Sequence, residues 1–318
     1  MISRRMAVVF CAASLAGAAT LPGVDPVLLN LVMPDAAVLS GIQMDQTLQS
    51  PFGLYLLSKM QPGDAGFVQF ITATGFDPTK DLTQILAATG APPVSQNNSL
   101  VLGRGTFVPT QVASAAIAAG GSVTLYNNIS VITGPNDSSN MALAFPDNTT
   151  AVIGSVAAVD AALDRWSAKA TYTGSLASAA QSASLANSAW FVTQTPLSDF
   201  LNGNLPGNLG NASQTNLFQS VTAASGGINF GPSSITVTGS AVTTSNQNAQ
   251  ALVNVLQFFV SMLSSNNQSA GTLANAATFS TNGATAQMTL TISEQQAEQL
   301  FMDHGQSQAR PLHRKPVQ

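Results

Sequence analysis

Residues 234–242 read SITVTGSAV, and residues 248–264 read NAQALVNVLQFFVSMLS. In the first run Ile235, Val237, Gly239 and Ala241 alternate with Thr236, Thr238 and Ser240. That period of two predicts a strand with one buried face. In the second run Leu252, Val255, Leu256, Phe259, Val260 and Leu263 recur at helical spacing, which makes a wide apolar stripe. Val253, Phe258 and Met262 widen it, so the helix is expected to be covered on more than one side. Its apolar run falls short of the roughly 20 residues a bilayer needs, and Asn254 and Gln257 interrupt it, so it reads as a core helix. Residues 277–281 and 284–292 then flank Asn282-Gly283, a dipeptide suited to a type I′ hairpin. Ala286, Met288, Leu290 and Ile292 form the inward face of the second arm. Ser293 and Gln296 have capping-box spacing for a last helix with Ala297, Leu300 and Phe301 inside. From Ile228 to Asp303 the chain therefore reads strand, helix, hairpin, helix, and no residue is left over that demands chemistry.

The composition narrows the function classes. Of 318 residues 45% are apolar, enough for a core, but only 8% are charged. Typical soluble domains carry about 25%. Ser, Thr, Asn and Gln replace the missing charge, which suits a protein outside the cytoplasm. Net charge is −4. Nucleic-acid binding needs clustered Lys and Arg. Between the two ends the chain has only Lys59, Lys80, Arg104, Arg165 and Lys169, scattered, so that class is rejected. The single cysteine, Cys11, precludes an intramolecular disulfide.

Residues 1–20 read as a signal peptide. Arg4 and Arg5 precede a short apolar run from Met6 to Leu15, and Ala16-Gly17-Ala18 fits a cleavage site. Residues 21–168 read as a first α+β domain. Its helices are expected after Ser50-Pro51, over Asp64–Thr74, over Thr110–Ala119 and after Ser155. Its strands are expected over Asp35–Ile42, Leu82–Ala88, Ser99–Leu102, Val123–Tyr126, Ile129–Thr133, Met141–Phe145 and Thr150–Ile153, with a turn at Asn127-Asn128. Residues 169–188 are an Ala/Ser-rich connection. Residues 189–303 form a second α+β domain, with a strand at Ala189–Thr193 and a helix at Asn216–Ala224. Residues 304–318 read as a disordered basic tail. The expected fold class is α+β: two helix-backed, mostly antiparallel sheet domains, structural repeats of one another at a distance.

At Pro34-Asp35-Ala36, Gly75-Phe76-Asp77-Pro78, Gly103–Phe107 and Gly154–Trp166 the chain resembles a group of uncharacterised exported proteins of acidobacterial type. The resemblance implies export. The group has no assigned activity, so it implies no site residue.

Catalytic and metal sites find little support. His304 and His313 lie in the tail, where no histidine could be held rigidly against a nucleophile. Gly103-Arg104-Gly105 lacks the fuller pattern of a phosphate loop and reads as a tight turn. Asp77 and Asp81 stand four apart around Pro78. As a functional pair they would hold calcium or do acid–base work, but Asp before Pro is a common turn starter. Asp147-Asn148 lacks the spacing of a calcium loop. No catalytic, cofactor-binding or metal-ligating residue is assigned, and no cofactor is expected. The sequence reads as an exported, non-catalytic binding or structural module, with a cell-envelope protein or a glycan as the kind of partner it would meet. Two alternatives stand beside this. One is a hydrolase using converging members of Asp35, Asp77, Asp81, Asp147 and Asp199. The other is a membrane-tethered interaction protein with an uncleaved leader. The binding reading requires an apolar or amide-rich patch without converging charge.

Overall fold

The computed structural model describes residues 23–60, 71–91, 98–135, 140–196, 217–266 and 276–298. The leader, Asp199, Leu300, Phe301, both histidines and the tail lie outside them. The fold is α+β. Among the described residues twelve strands form one sheet: β1 (Val38–Gln43), β2 (Leu82–Thr89), β3 (Ser99–Gly105), β4 (Ser122–Tyr126), β5 (Ile129–Thr133), β6 (Met141–Asp147), β7 (Thr150–Ser155), β8 (Ala189–Thr193), β9 (Val221–Phe230), β10 (Ser234–Thr243), β11 (Ala277–Asn282) and β12 (Thr285–Ser293). Their order is β11-β12-β10-β9-β8-β1-β2-β3-β7-β6-β5-β4, and every pairing is antiparallel. The strands of the two expected halves meet at β1 and β8, with Ser40 opposite Phe191 and Gly41 opposite Trp190. They share one continuous sheet.

The helices are α1 (Pro26–Leu31), α2 (Met44–Leu48), α3 (Pro51–Met60), α4 (Pro78–Asp81), α5 (Pro109–Ala118), α6 (Val156–Ser167), α7 (Ala177–Ala186) and α8 (Asn246–Asn266). Local chemistry starts several of them. The Asp25 carboxylate accepts from Val27 N–H at the start of α1, Ser50 Oγ from Gly53 N–H in α3, and Ser155 Oγ from Ala158 N–H in α6. The expected capping box also forms: Ser293 N–H donates to Gln296 Oε1, and Gln296 N–H to Ser293 Oγ. Asn127 and Asn128 take φ of 49° and 63° between β4 and β5, the left-handed pair of a type I′ turn.

Paired residues share a face of a sheet, so the register sorts the side chains. The first face carries Leu39, Leu86, Leu102, Val152, Ala144, Val131, Trp190 and Val192. It is buried by Leu28 and Leu31 of α1, Val159, Ala162 and Leu163 of α6, and Ala180 of α7. Trp190 can lie flat there because its cross-strand neighbour is Gly41, where a Cβ would fall 2.6 Å from the ring. On the β9–β12 side the buried face is the opposite one. There Ile235, Ile292 and Ala286 pack under Phe52 of α3 and under Ala249, Leu252 and Val253 of α8. Apart from α5, which lies on the second face at the β4–β5 end, helices thus cover one face of one half-sheet and the other face of the other half.

Several expectations need correcting. Among the described residues of the expected helix Asn216–Ala224 only 217–219 are helical, and β9 begins at Val221. Its run Ala223-Ala-Ser-Gly-Gly227 has almost no β-branched bulk, so local propensity does not announce a strand. Pairing on both sides imposes one. The β11–β12 turn is shifted by one residue. Asn282 pairs with Thr285, so the central residues are Gly283 and Ala284, with Gly283 at φ 58°. Glycine at the first central position matches a type II′ turn. Gly103-Arg104-Gly105 is not a turn but the end of β3. Arg165 of α6 folds back and donates to the Leu31 carbonyl from Nε at 3.0 Å and from a terminal nitrogen at 2.8 Å. It thereby satisfies the C-terminal end of α1. Phe258 of α8 is 64% exposed, so that helix is not enclosed all round. No helix among the described residues is long and apolar enough to cross a membrane.

Candidate functional site

Across the second face of the sheet one register row runs through all twelve strands: Phe279, Met288, Gly239, Gly226, Phe191, Ser40, Ala87, Val101, Ile153, Leu143, Ile132 and Val123. α8 covers the β11–β12 end and α5 the β4–β5 end. Among the described residues the sheet lies open between them, with Phe191 41%, Val101 41% and Ile153 39% exposed. The strands here are apolar on both faces. Leu100 and Leu102 point to the first face and Val101 to the second; Val152 points to the first and Ile153 to the second.

Next to this open row a groove of about 320 Å³ is set between β2, β3, β6, β7 and α5. One wall is a chain of three rings. Phe76 stacks on Phe107 with centroids 5.9 Å apart, and Phe107 meets Phe145 at 5.2 Å. The floor is Ile85, Val101, Ala151 and Ile153. Gly75, at φ 66°, ends the helical turn at 71–74 and brings Phe76 to the wall. The polar lining is limited to Thr74, Asp81, Thr106 and Gln111.

Each sequence candidate can be placed against the groove. Asp77 and Asp81 do come together, and they cap α4. Asp77 Oδ1 accepts from Thr79 N–H at 3.0 Å, while an Asp81 oxygen accepts from Asp77 N–H at 2.6 Å. Lys80 reaches Asp77 at 2.7 Å. Lys80 first, then the Thr79 hydroxyl and amide, holds the Asp77 carboxyl down to about 2. Asp147 closes the β6–β7 turn by accepting from Thr149 N–H and hydroxyl. Burial alone would push its carboxyl up; hydrogen bonds from Thr149 and Thr150, helped by the Arg104 charge, outweigh that and hold it low. Asp35 is an exposed turn residue, and Asp199 lies outside the described residues. Arg104 is engaged structurally, bridging Asp25 at 3.0 Å to the Thr149 and Thr150 hydroxyls at 2.8 Å. The structure therefore joins two of the five aspartates, in a helix cap at the groove's edge.

This cap gives a first testable prediction. Asp77→Ala should lower stability by about 1 kcal/mol at neutral pH, the usual worth of an N-cap. Lys80 is 79% exposed, so its ion pair adds little. The folded-state pKa is depressed, so the carboxylate's contribution is present above the unfolded value near 4 and lost as pH falls toward 2. Urea titrations of parent and variant should differ by a constant amount above pH 5 and converge between pH 4 and about 2. A difference that persists unchanged at the acid end would mean that the ionised carboxylate is not what caps α4.

A second concavity, of about 420 Å³, lies on the first face of β9–β12 against α7. Thr238, Ser240, Thr278, Ser280, Gln287 and Thr289 line it, a hydroxyl and amide surface.

The fold is similar to that of TP0453. Crystal form I of that protein superposes with a TM-score of 0.52 at 13% identity, over 88% of this chain and 97% of that one. Crystal form III gives 0.54 at 12% identity over 88% and 98%, and form IV gives 0.54 at 11% over 87% and 96%. At these identities the likeness concerns the fold alone. No family model and no curated protein matches the chain.

Proposed function

We propose that this protein is an exported, non-catalytic binding module whose groove at Phe76, Phe107, Phe145, Val101 and Ile153 takes one small apolar molecule. The groove carries the reading. Its volume of about 320 Å³ falls in the range of small-molecule sites. Its floor leaves Val101 and Ile153 about two-fifths exposed. Its few polar groups include Asp81, whose carboxylate already accepts a backbone N–H. Such a lining rewards an apolar ligand through surface removed from water, at about 25 cal/mol per Å². An aspartate hydrolase would need one carboxyl held protonated beside another. Asp77 is pulled the other way, and Asp35 and Asp147 serve turns. Export rests on the leader-like first 20 residues and the charge-poor composition.

Titration with N-phenyl-1-naphthylamine, a dye that fluoresces in apolar surroundings, tests the groove. The parent should bind with a saturable signal near one dye per chain. Ile153→Asp places a carboxylate on the floor and should weaken binding by about tenfold or more, the equivalent of about 1.4 kcal/mol. Thr289→Asp, in the hydroxyl-lined concavity, should leave binding unchanged. Absence of a saturable signal in the parent, or equal binding by Ile153→Asp, would overturn the assignment.

A further inference from the structure

We infer that the free edge of β4 pairs with the β4 edge of a second copy of this chain, extending the sheet across a two-fold axis. A sheet edge exposes unpaired N–H and C=O groups, and monomeric proteins usually blunt it with charge, proline or a bulge. β4 has none of these. It reads Ser122-Val-Thr-Leu-Tyr126, and its pairing with β5 is regular from Ser122↔Thr133 to Tyr126↔Ile129. Leu125 is 73% exposed. α5, which covers the same face, contains no charged residue and leaves Ile117 58% exposed. The opposite edge of the sheet, β11, differs because α8 packs against it and Phe279 joins the core there.

The strand is self-complementary. The two-residue turn at Asn127-Asn128 makes Tyr126 and Ile129 a hydrogen-bonded pair, so Tyr126, Thr124 and Ser122 turn their backbone groups toward β5. Val123 and Leu125 turn theirs outward. A two-fold axis at Thr124 sets Val123 against the partner copy's residue 125, and Leu125 against its residue 123. Four backbone hydrogen bonds close, and the exposed leucine meets a valine on the same face. On the other face Thr124 meets its own symmetry mate. Asp164 is held by Tyr126 and Asn127 at the hairpin tip. Antiparallel pairing points the two tips in opposite directions and sets each Tyr126 about 14 Å from its symmetry mate along the strands at 3.4 Å per residue. The two Asp164 carboxylates are therefore not opposed.

The register supplies its own test. A pair without mutual hydrogen bonds has Cα atoms about 4.5 Å apart, within disulfide reach. In the full chain carrying Cys11→Ser, Thr124→Cys should form a disulfide-linked dimer on mild oxidation. Thr281→Cys, exposed on the β11 edge, should not. Sedimentation equilibrium of the unmodified chain should show a dimer at about 100 μM, and Leu125→Lys should weaken association by about tenfold or more. A monomer at that concentration overturns the inference. So does a Thr124→Cys chain that cross-links no faster than the Thr281→Cys control, or a Leu125→Lys chain that associates as well as the parent.

Discussion

Leu86→Ala should destabilise the protein by about 3–5 kcal/mol, the upper part of the range for truncating a buried leucine. Leu86 is fully buried in the main core. Its cross-strand neighbours are Gly41 on β1 and Leu102 on β3, and the Trp190 ring lies over Gly41. Truncation removes the transfer free energy of the lost methyl-bearing carbons and leaves a void. That void lies between paired strands and packed helices, so the surroundings can collapse only partly. The expected result also has a form. Leu86 stands one strand from the β1–β8 pairing, where the two expected halves meet in a continuous sheet. Trp166 reports from α6 on one side of that pairing and Trp190 from β8 on the other. Guanidinium unfolding followed by tryptophan fluorescence and by far-ultraviolet circular dichroism should give coincident transitions, shifted together by the substitution. Two separated transitions, with only one moved, would show that each half-sheet unfolds on its own.

That expectation departs from the two-domain picture, and the reason is physical. Alternation tells which face of a strand is buried but not which strand lies beside it. The described parts of the stretch from Ile228 were legible, but for the one-residue shift of its hairpin turn, because their signals are local: Ile235 and Val237 alternate, Leu252 and Val253 sit on a helical stripe, and Ser293 with Gln296 forms a capping box. The asparagine pair at 127–128 declared its turn for the same reason. β9 was opaque because its alanines, serine and glycines have weak β preference. Its glycines make sense only beside their neighbours: a Cβ at Gly226 would lie 2.7 Å from the Phe191 ring. The groove was hidden for a related reason. Phe76, Phe107 and Phe145 are far apart in sequence, and only the register brings them into one wall. One sequence signal could have pointed there. Leu100-Val101-Leu102 and Ala151-Val152-Ile153 are unbroken apolar runs, the mark of strands with apolar side chains on both faces. Helices cover only one of those faces here. Asp77 was legible as a cap, since before Pro78 it behaves as local turn chemistry predicts.

Gln84→Ala is expected to cost about 3–5 kcal/mol through loss of hydrogen bonds rather than of apolar packing, since each buried polar group left without its partner costs about 1–3 kcal/mol. Gln84 is 5% exposed and Gln43, its neighbour on β1, is 4% exposed. Gln84 Oε1 accepts from Asp25 N–H at 2.6 Å, and its Nε2 donates to the Gly23 carbonyl and to Gln43 Oε1. One side chain thus ties residues 23–25 to the centre of the sheet. Val24 N–H adds a bond to Ser184 Oγ of α7, and the Asp25 carboxylate adds Arg104 of β3. Alanine at 84 removes an acceptor from the Asp25 amide and a donor from two carbonyl oxygens at once. The double variant Gln43→Leu/Gln84→Leu separates this cause from simple loss of volume. It removes both amides and fills the space, so it should lie closer to the parent than Gln84→Ala does. Urea denaturation gives the three free energies, and amide exchange at Asp25 reports whether the N-terminal segment opens before the sheet. A cost for Gln84→Ala below about 1 kcal/mol would indicate that water already serves these amides.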